Sequence, residues 1–129
     1  GNVMSKITTQ QEFEDKNNVK VVVDKNNDSL YFSREPIPSP WKGWDNLPCY
    51  LQTGIIAFRR DALIEFNSME ETPLEKIESV DMNRVLEMGG KVRMVLSENI
   101  TMGVDVPLEL AKAEEILRND PIMKKYISK

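Results

Sequence analysis

The chain contains no histidine, which removes the commonest general base and the commonest zinc ligand. Any chemistry must fall to carboxylates, lysines, arginines or a magnesium-type ion. Its single cysteine, Cys49, excludes an internal disulfide. With no signal peptide in view, a reducing cytoplasm is the expected compartment, and the thiol reads as a small, part-buried hydrophobe. No apolar run approaches the roughly 20 residues needed to cross a bilayer, so no membrane partner is expected. Lys and Arg number 17 against 21 Asp and Glu, a net charge of −4. Non-specific binding to nucleic acid or anionic lipid needs the opposite surplus, and no basic cluster is interleaved with aromatics. There is no internal repeat and no low-complexity tract.

What remains is 129 residues, 40% apolar and 29% charged, the profile of a single domain over residues 1–129 able to bury one core. Val3 to Thr8 reads as a short strand and Thr9 to Asp15 as one helical turn around Phe13. Val19 to Asp24 is a β-branched strand, and Leu30 to Arg34 returns from it across a polar Asn26-Asn27-Asp28 turn as a hairpin. Glu35 to Pro48 holds four prolines with Trp41, Gly43 and Trp44. That composition forms neither helix nor interior strand. Two tryptophans argue for an ordered excursion that packs on something, a second copy of the chain being one candidate. Residues from about 19 to 50 thus form a hairpin with its excursion, and those from about 51 to 129 a sheet with helices. In that second part Gly54-Ile55-Ile56-Ala57-Phe58 is continuously apolar and reads as a strand buried on both faces. Gly54 marks a bulge, a close approach or a plain packing position. Asp61 is expected to cap a helix with Leu63, Ile64 and Phe66 inward.

Thr72-Pro73-Leu74-Glu75 is a capping box with proline at the first helical position, and Gly89-Gly90 closes the helix about four turns later. Leu74, Ile77, Val85 and Met88 fall on one side, with Val80 and Met82 at its margins. Glu78 and Asp81 interrupt that apolar side. Because burying an unpaired carboxylate costs several kcal/mol, they either meet partners, such as Arg84 or an arginine of the neighbouring strand, or line a polar cavity. The apolar run Val92 to Leu96 reads as a buried strand, and Leu108 to Leu117 as an amphipathic helix opened by Pro107. Val106 then stands at the N-cap with no side-chain oxygen to offer. Asp105 sits one residue further out, uncommitted to the cap, between a strand and a helix. It is either a turn aspartate bonded to its own backbone or a ligand for metal or substrate.

Taken together these segments resemble a known family. Asn18-Val19-Lys20-Val21-Val22-Val23-Asp24 and Leu30-Tyr31-Phe32-Ser33-Arg34, leading to Pro36-Ile37-Pro38, are similar to the middle of the CMP-Kdo synthetases, the 3-deoxy-manno-octulosonate cytidylyltransferases, which stand beside acylneuraminate cytidylyltransferase-like enzymes. Gly54-Ile55-Ile56-Ala57-Phe58-Arg59, Thr72-Pro73-Leu74-Glu75-Lys76-Ile77-Glu78 and Gly103-Val104-Asp105-Val106-Pro107 follow in the family's order. The resemblance covers only the carboxyl-terminal half of such an enzyme. The glycine- and lysine-containing loop that cradles the CTP phosphates and the first magnesium-binding aspartate have no counterpart.

The resemblance implies an α/β, three-layer nucleotidyltransferase-like (Rossmann-like) fold whose β-hairpin region dimerises. It further implies a magnesium-dependent transfer of CMP from CTP to a 3-deoxy-ulosonic acid, in the cytoplasm, for lipopolysaccharide biosynthesis. Asp105 matches the second magnesium-binding aspartate, the catalytic and metal position. Asp81 matches an acidic residue of the sugar site. Gln52, Ile56 and Met82 stand where Kdo-specific members carry histidine, tyrosine and glutamine, and Arg34 matches a segment that faces the sugar carboxylate. Ile56 and Met82 offer no hydrogen bond to a hydroxyl, so the acceptor implied is Kdo or a related, modified acid. The isolated chain is expected to be inactive. The alternative is a non-catalytic self-associating or sugar-binding module.

Overall fold

The computed structural model describes residues 1–44, 47–98, 104 and 107–127. The chain divides into two compact units, Gly1–Asn99 and Ile100–Lys129. The first is mixed α/β. Its five-stranded sheet has the order β3-β2-β4-β1-β5, built from β1 (Asn2–Lys6), β2 (Lys20–Val23), β3 (Ser29–Ser33), β4 (Tyr50–Ile56) and β5 (Met94–Ser97). β1 and β5 run parallel; β1 with β4, β2 with β4 and β2 with β3 are antiparallel.

The hairpin forms as its composition requires. The Asp24 carboxylate accepts from the backbone N–H groups of Asn26 (2.8 Å) and Asp28 (2.9 Å), and Asn27 takes the left-handed conformation at φ 63°. The bond from Asp28 holds the Asp24 carboxyl below its usual range, against the opposing effect of burial. Helix α1 (Gln10–Glu14) starts at Thr9, whose hydroxyl accepts from the Glu12 N–H at 3.2 Å. Phe13 and Cys49 pack with Ile7 in a small core at that end of the sheet. Trp44 closes over it, its ring 4.9 Å from that of Phe13. The excursion is therefore anchored by one tryptophan, while Trp41 stands 90% exposed.

The main core joins Met4, Val21, Phe32, Val80, Met82, Val92 and Met94. Beside it Lys20 is wholly buried. Its ammonium donates to the carbonyls of Asp15, Asn18 and Arg34, which offsets the cost of desolvating the charge.

Several expectations are corrected. β4 is not buried on both faces: Ile55 is 57% exposed. From Gln52 to Ile56 β4 advances four residues while β1 advances two, so the intervening residues leave the ladder. Gly54 lies in this bulge at φ 77°, a conformation that favours glycine. Helix α2 (Arg60–Ser68) begins at Arg59, with Asp61 in the first turn rather than at the cap. Leu63 and Ile64 face solvent, and only Phe66 turns inward, 5.5 Å from Phe58.

The four-turn helix is two short ones, α3 (Pro73–Glu78) and α4 (Met82–Glu87). The start is as expected: Pro73 opens α3, and the Thr72 N–H donates to the Glu75 carboxylate at 3.2 Å. The break comes at Ser79, φ 52°, where Ser79 and Val80 both donate to the Glu75 carbonyl. A left-handed residue resets the helical phase. Val80 and Met82, placed at the margin by a continuous helix, become core, whereas Leu74, Ile77 and Met88 are exposed. The Val92 to Leu96 segment keeps Val92 and Met94 inside but exposes Val95 and Leu96.

In the second unit α5 (Pro107–Asn119) opens on Pro107 as expected. Asp120 accepts from the Ile122 N–H at 2.6 Å and leads into α6 (Met123–Ile127). Ile122 and Tyr126 are exposed; a five-residue helix is little more than one turn and buries few side chains. Among the described residues no helix is long and apolar enough to cross a membrane.

Candidate functional site

Three places in the first unit hold residues singled out by the sequence. The first is a cavity of about 520 Å³ between the end of β4, α2, α4 and the segment entering β5. Ile56 reaches it from the last position of β4, and Met82 from the first turn of α4. Its far wall is Phe66 and Met69, which one cation holds in place. Arg84 forms a fork with the Glu75 carboxylate, Nη2 to Oε1 at 2.5 Å and Nε to Oε2 at 2.7 Å. Arg84 Nη1 donates to the carbonyls of Phe66 (3.2 Å) and Met69 (3.3 Å), and its guanidinium lies 4.5 Å from the centre of the Phe66 ring. The arginine holds the Glu75 carboxyl below its usual range even though burial opposes it. The end of α2 and the starts of α3 and α4 are thereby fastened into one wall. This network was not legible in the sequence, because Glu75 and Arg84 lie on separate helices.

The second place is the carboxylate of Glu78. It accepts from the Tyr31 hydroxyl (2.9 Å), the Ser33 hydroxyl (2.8 Å) and the Arg34 backbone N–H (3.0 Å). Burial pushes this carboxyl up, but the Arg34, Ser33 and Tyr31 hydrogen bonds outweigh it and the net direction is down. Burial and the same contact push the Tyr31 phenol up to about 12. Arg34 answers from the other side. Its guanidinium donates to the carbonyls of Glu78 (2.9 Å), Ser79 (3.2 Å), Lys16 (3.2 Å) and Asn17 (3.4 Å). Glu78 thus meets partners and does not line a polar cavity, but they are two hydroxyls and a main-chain N–H: the Arg34 guanidinium turns to carbonyls, and among the described residues Glu78 makes no ion pair with Arg34 or Arg84.

The third is an acidic groove of about 450 Å³ lined by Glu71, Glu75, Lys76, Ser79, Val80 and Asp81. Asp81 occupies the N-cap of α4 without a side-chain cap bond and is exposed. Ile56 and Met82 are thus brought together, whereas Asp81, although next to Met82 in sequence, lines a different groove. Gln52 lies half-buried on β4 opposite Met4, its N–H donating to the Val19 carbonyl at 2.8 Å; it does not line the cavity. Asp105 and Val106 lie outside the described residues. Among the described residues no three or more His, Cys, Asp or Glu side chains gather as a metal site.

A model of the family described as cytidylyltransferase matches residues 2–100. A 3-deoxy-manno-octulosonate cytidylyltransferase of Geobacter metallireducens is 39% identical over 127 residues, covering 91% of this chain and 50% of that protein. One of Fusobacterium nucleatum is 38% identical over 117 residues, covering 91% and 47%. Among solved structures, a CMP:2-keto-3-deoxy-manno-octonic acid synthetase complexed with CTP superposes with a TM-score of 0.80 at 32% identity, covering 91% of this chain and 48% of that one. The chain spans about half the length of the relatives it matches.

Proposed function

The chain belongs to the cytidylyltransferase family, and from that premise we propose that it forms the carboxyl-terminal half of an enzyme that transfers CMP from CTP to the anomeric hydroxyl of a 3-deoxy-ulosonic acid, Kdo or a related acid, releasing pyrophosphate. The observation that carries the reading is the joint agreement of fold and sequence with a CTP-bound synthetase, extending over 91% of the chain. Ile56 and Met82 supply one wall of the acceptor site. Asp81 stands one residue from that wall, and Arg34 holds the Glu78–Ser79 turn from which Asp81 and Met82 project.

Carboxylates without histidine are donor chemistry suited to magnesium. Asp105 is the residue of this half that would hold the ion, together with substrate phosphates and a carboxylate from the other half. When bound, magnesium lowers the pKa of the attacking hydroxyl and neutralises charge on the α-phosphate. The 129 residues contain no counterpart of the family's phosphate loop, and by themselves they are expected to release no pyrophosphate. The reaction uses CTP, and its place is the cytoplasm.

Fusion of this chain to the amino-terminal half of the Geobacter metallireducens relative tests the reading. CTP- and magnesium-dependent release of pyrophosphate with an acid-sugar acceptor is expected, and its loss in the Asp105→Asn fusion. A fusion that folds with a cooperative melt yet releases no pyrophosphate with any 3-deoxy-ulosonic acid would sink it.

A second feature supports self-association. Leu30 at the hairpin and Trp41 in the excursion each present large apolar surface to water, and we propose that the chain self-associates through the hairpin and excursion. Sedimentation at tens of micromolar should give a dimer; a strict monomer counts against it.

A further inference from the structure

β4 lies in the middle of the sheet, yet much of one edge is free. β2 accompanies it only at Lys20↔Leu51 and Val21↔Tyr50, and the last bond on that side runs from the Gln52 N–H to the Val19 carbonyl at 2.8 Å. Before Val19 the chain turns away. The Asp15 carboxylate accepts from the Asn17 N–H at 2.8 Å, and the Lys20 ammonium holds the carbonyls of Asp15 and Asn18. Among the described residues no strand pairs with Thr53 to Ile56 on this side, while β1 follows β4 as far as Ile56 on the other. Thr53 to Phe58 carries neither charge nor proline, the residues that keep a free edge from pairing.

One face beside that edge is bare as well. Met4 and Met94 point into the core with Val80 and Met82, so their neighbours Val3 and Val95, which pair with each other, lie on the opposite face. Ile55 joins them there, because Ile56 faces the cavity with Met82. Ile55 is 57% and Val95 55% exposed. Within the first unit α1 covers only the far end of this face, where Phe13 packs with Ile7, Cys49 and Leu51. A parallel pair such as β1 with β5 is ordinarily covered on both faces.

The occupant must bring a strand for the edge and apolar side chains for the face. A second copy joined edge to edge would leave the face bare, and β2 is held elsewhere. The chain covers 50% and 47% of two of its relatives, so a segment of similar length belongs to those proteins and is absent from these 129 residues. Resting on the half-enzyme reading above, we propose that the amino-terminal half docks here, laying a strand along Thr53 to Ile56, end to end with β2, and covering Val3, Ile55 and Val95.

Hydrogen exchange on the 129-residue chain and on its fusion to the amino-terminal half tests the docking. The amides of residues 53–56 that point away from β1 should exchange at least about 100-fold more slowly in the fusion than in the isolated chain. Ile55→Lys should leave the melt of the isolated chain unchanged, since the side chain is exposed there, yet split the single transition of the fusion in two. Val95→Lys should act the same way. Equal exchange in the two proteins, two transitions in the unsubstituted fusion, or an Ile55→Lys fusion that melts like its parent each overturns the inference. Protection of these amides in the isolated chain that grows with its own concentration also overturns it, since the edge would then belong to a second copy. Pyrophosphate release is a separate measure. A fusion that releases it with those amides unprotected sinks the docking and leaves CMP transfer standing; a protected but inert fusion does the reverse.

Discussion

Removing the carboxylate of Glu78 should unfasten the junction between β3 and α3. In Glu78→Ala three donors lose their acceptor at once: the Tyr31 hydroxyl, the Ser33 hydroxyl and the Arg34 N–H, now bonded at 2.9, 2.8 and 3.0 Å. Ser33 is 2% exposed, so its orphaned hydroxyl carries the full cost of about 1–3 kcal/mol. Tyr31 and Arg34 are only half-buried and recover part of theirs from water. The total is about 2–4 kcal/mol, which for a domain of this size lowers Tm by roughly 6–16 °C.

The loss has a pH signature. The Glu78 carboxyl is held below its usual range in the folded chain, so its contribution is present above the unfolded carboxyl range and is lost as pH falls through the folded value. The Tyr31 phenol is raised to about 12, so its contribution is present below the unfolded value and is lost as pH rises from about 10 toward 12. Thermal melts from pH 3 to 11 should show the parent chain declining at both ends and Glu78→Ala declining less steeply at each. A variant that melts within a degree of the parent, with the same pH profile, refutes the assignment of Glu78 as the acceptor at this junction.

Other changes separate the remaining contacts. Arg84→Ala leaves the Glu75 carboxylate, 8% exposed, without its cation and should cost about 3–5 kcal/mol in urea unfolding; the pair Glu75→Leu with Arg84→Met should recover most of it. Asn2 is buried with neither amide atom partnered, so Asn2→Val should raise stability by about 1 kcal/mol in the same assay. Ser79→Gly relieves a left-handed residue at φ 52° and should change stability by less than about 1 kcal/mol in either direction, since the relief is set against greater freedom of the unfolded chain. Trp41→Ser should weaken self-association in sedimentation without moving the melt, because its ring contributes nothing to the monomer core at 90% exposure.

The elements that the sequence located well are those governed by short-range chemistry. The β2–β3 hairpin was legible because Asn27 tolerates positive φ and the Asp24 carboxylate caps its own turn. The start of α3 was legible because a capping box and a proline act within one turn. The 72–90 segment misled because its apolar spacing fits one helix, and Ser79 announces no left-handed residue. Glu78 and Asp81 were set on one face by that continuous phase; the break sends one to Tyr31, Ser33 and Arg34 and leaves the other at an exposed groove. An apolar run over 54–58 likewise carries no sign that β4 leaves the β1 ladder at Gly54. Of the acceptor residues, only the meeting of Ile56 and Met82 in one cavity emerges from the fold.

By itself the sequence determined the family, the α/β class, the hairpin and the exclusion of histidine chemistry, because each rests on residue identity or on contacts within a few positions of the chain. The tertiary structure alone decided that Arg84 would fasten Glu75 to the carbonyls of Phe66 and Met69, that Arg34 would serve the Glu78–Ser79 turn, and that Asp81 and Met82 would face different spaces. Those outcomes depend on where separate elements are brought to rest, and hydrogen bonds and packing between elements far apart in sequence leave no mark in the spacing of residues along it.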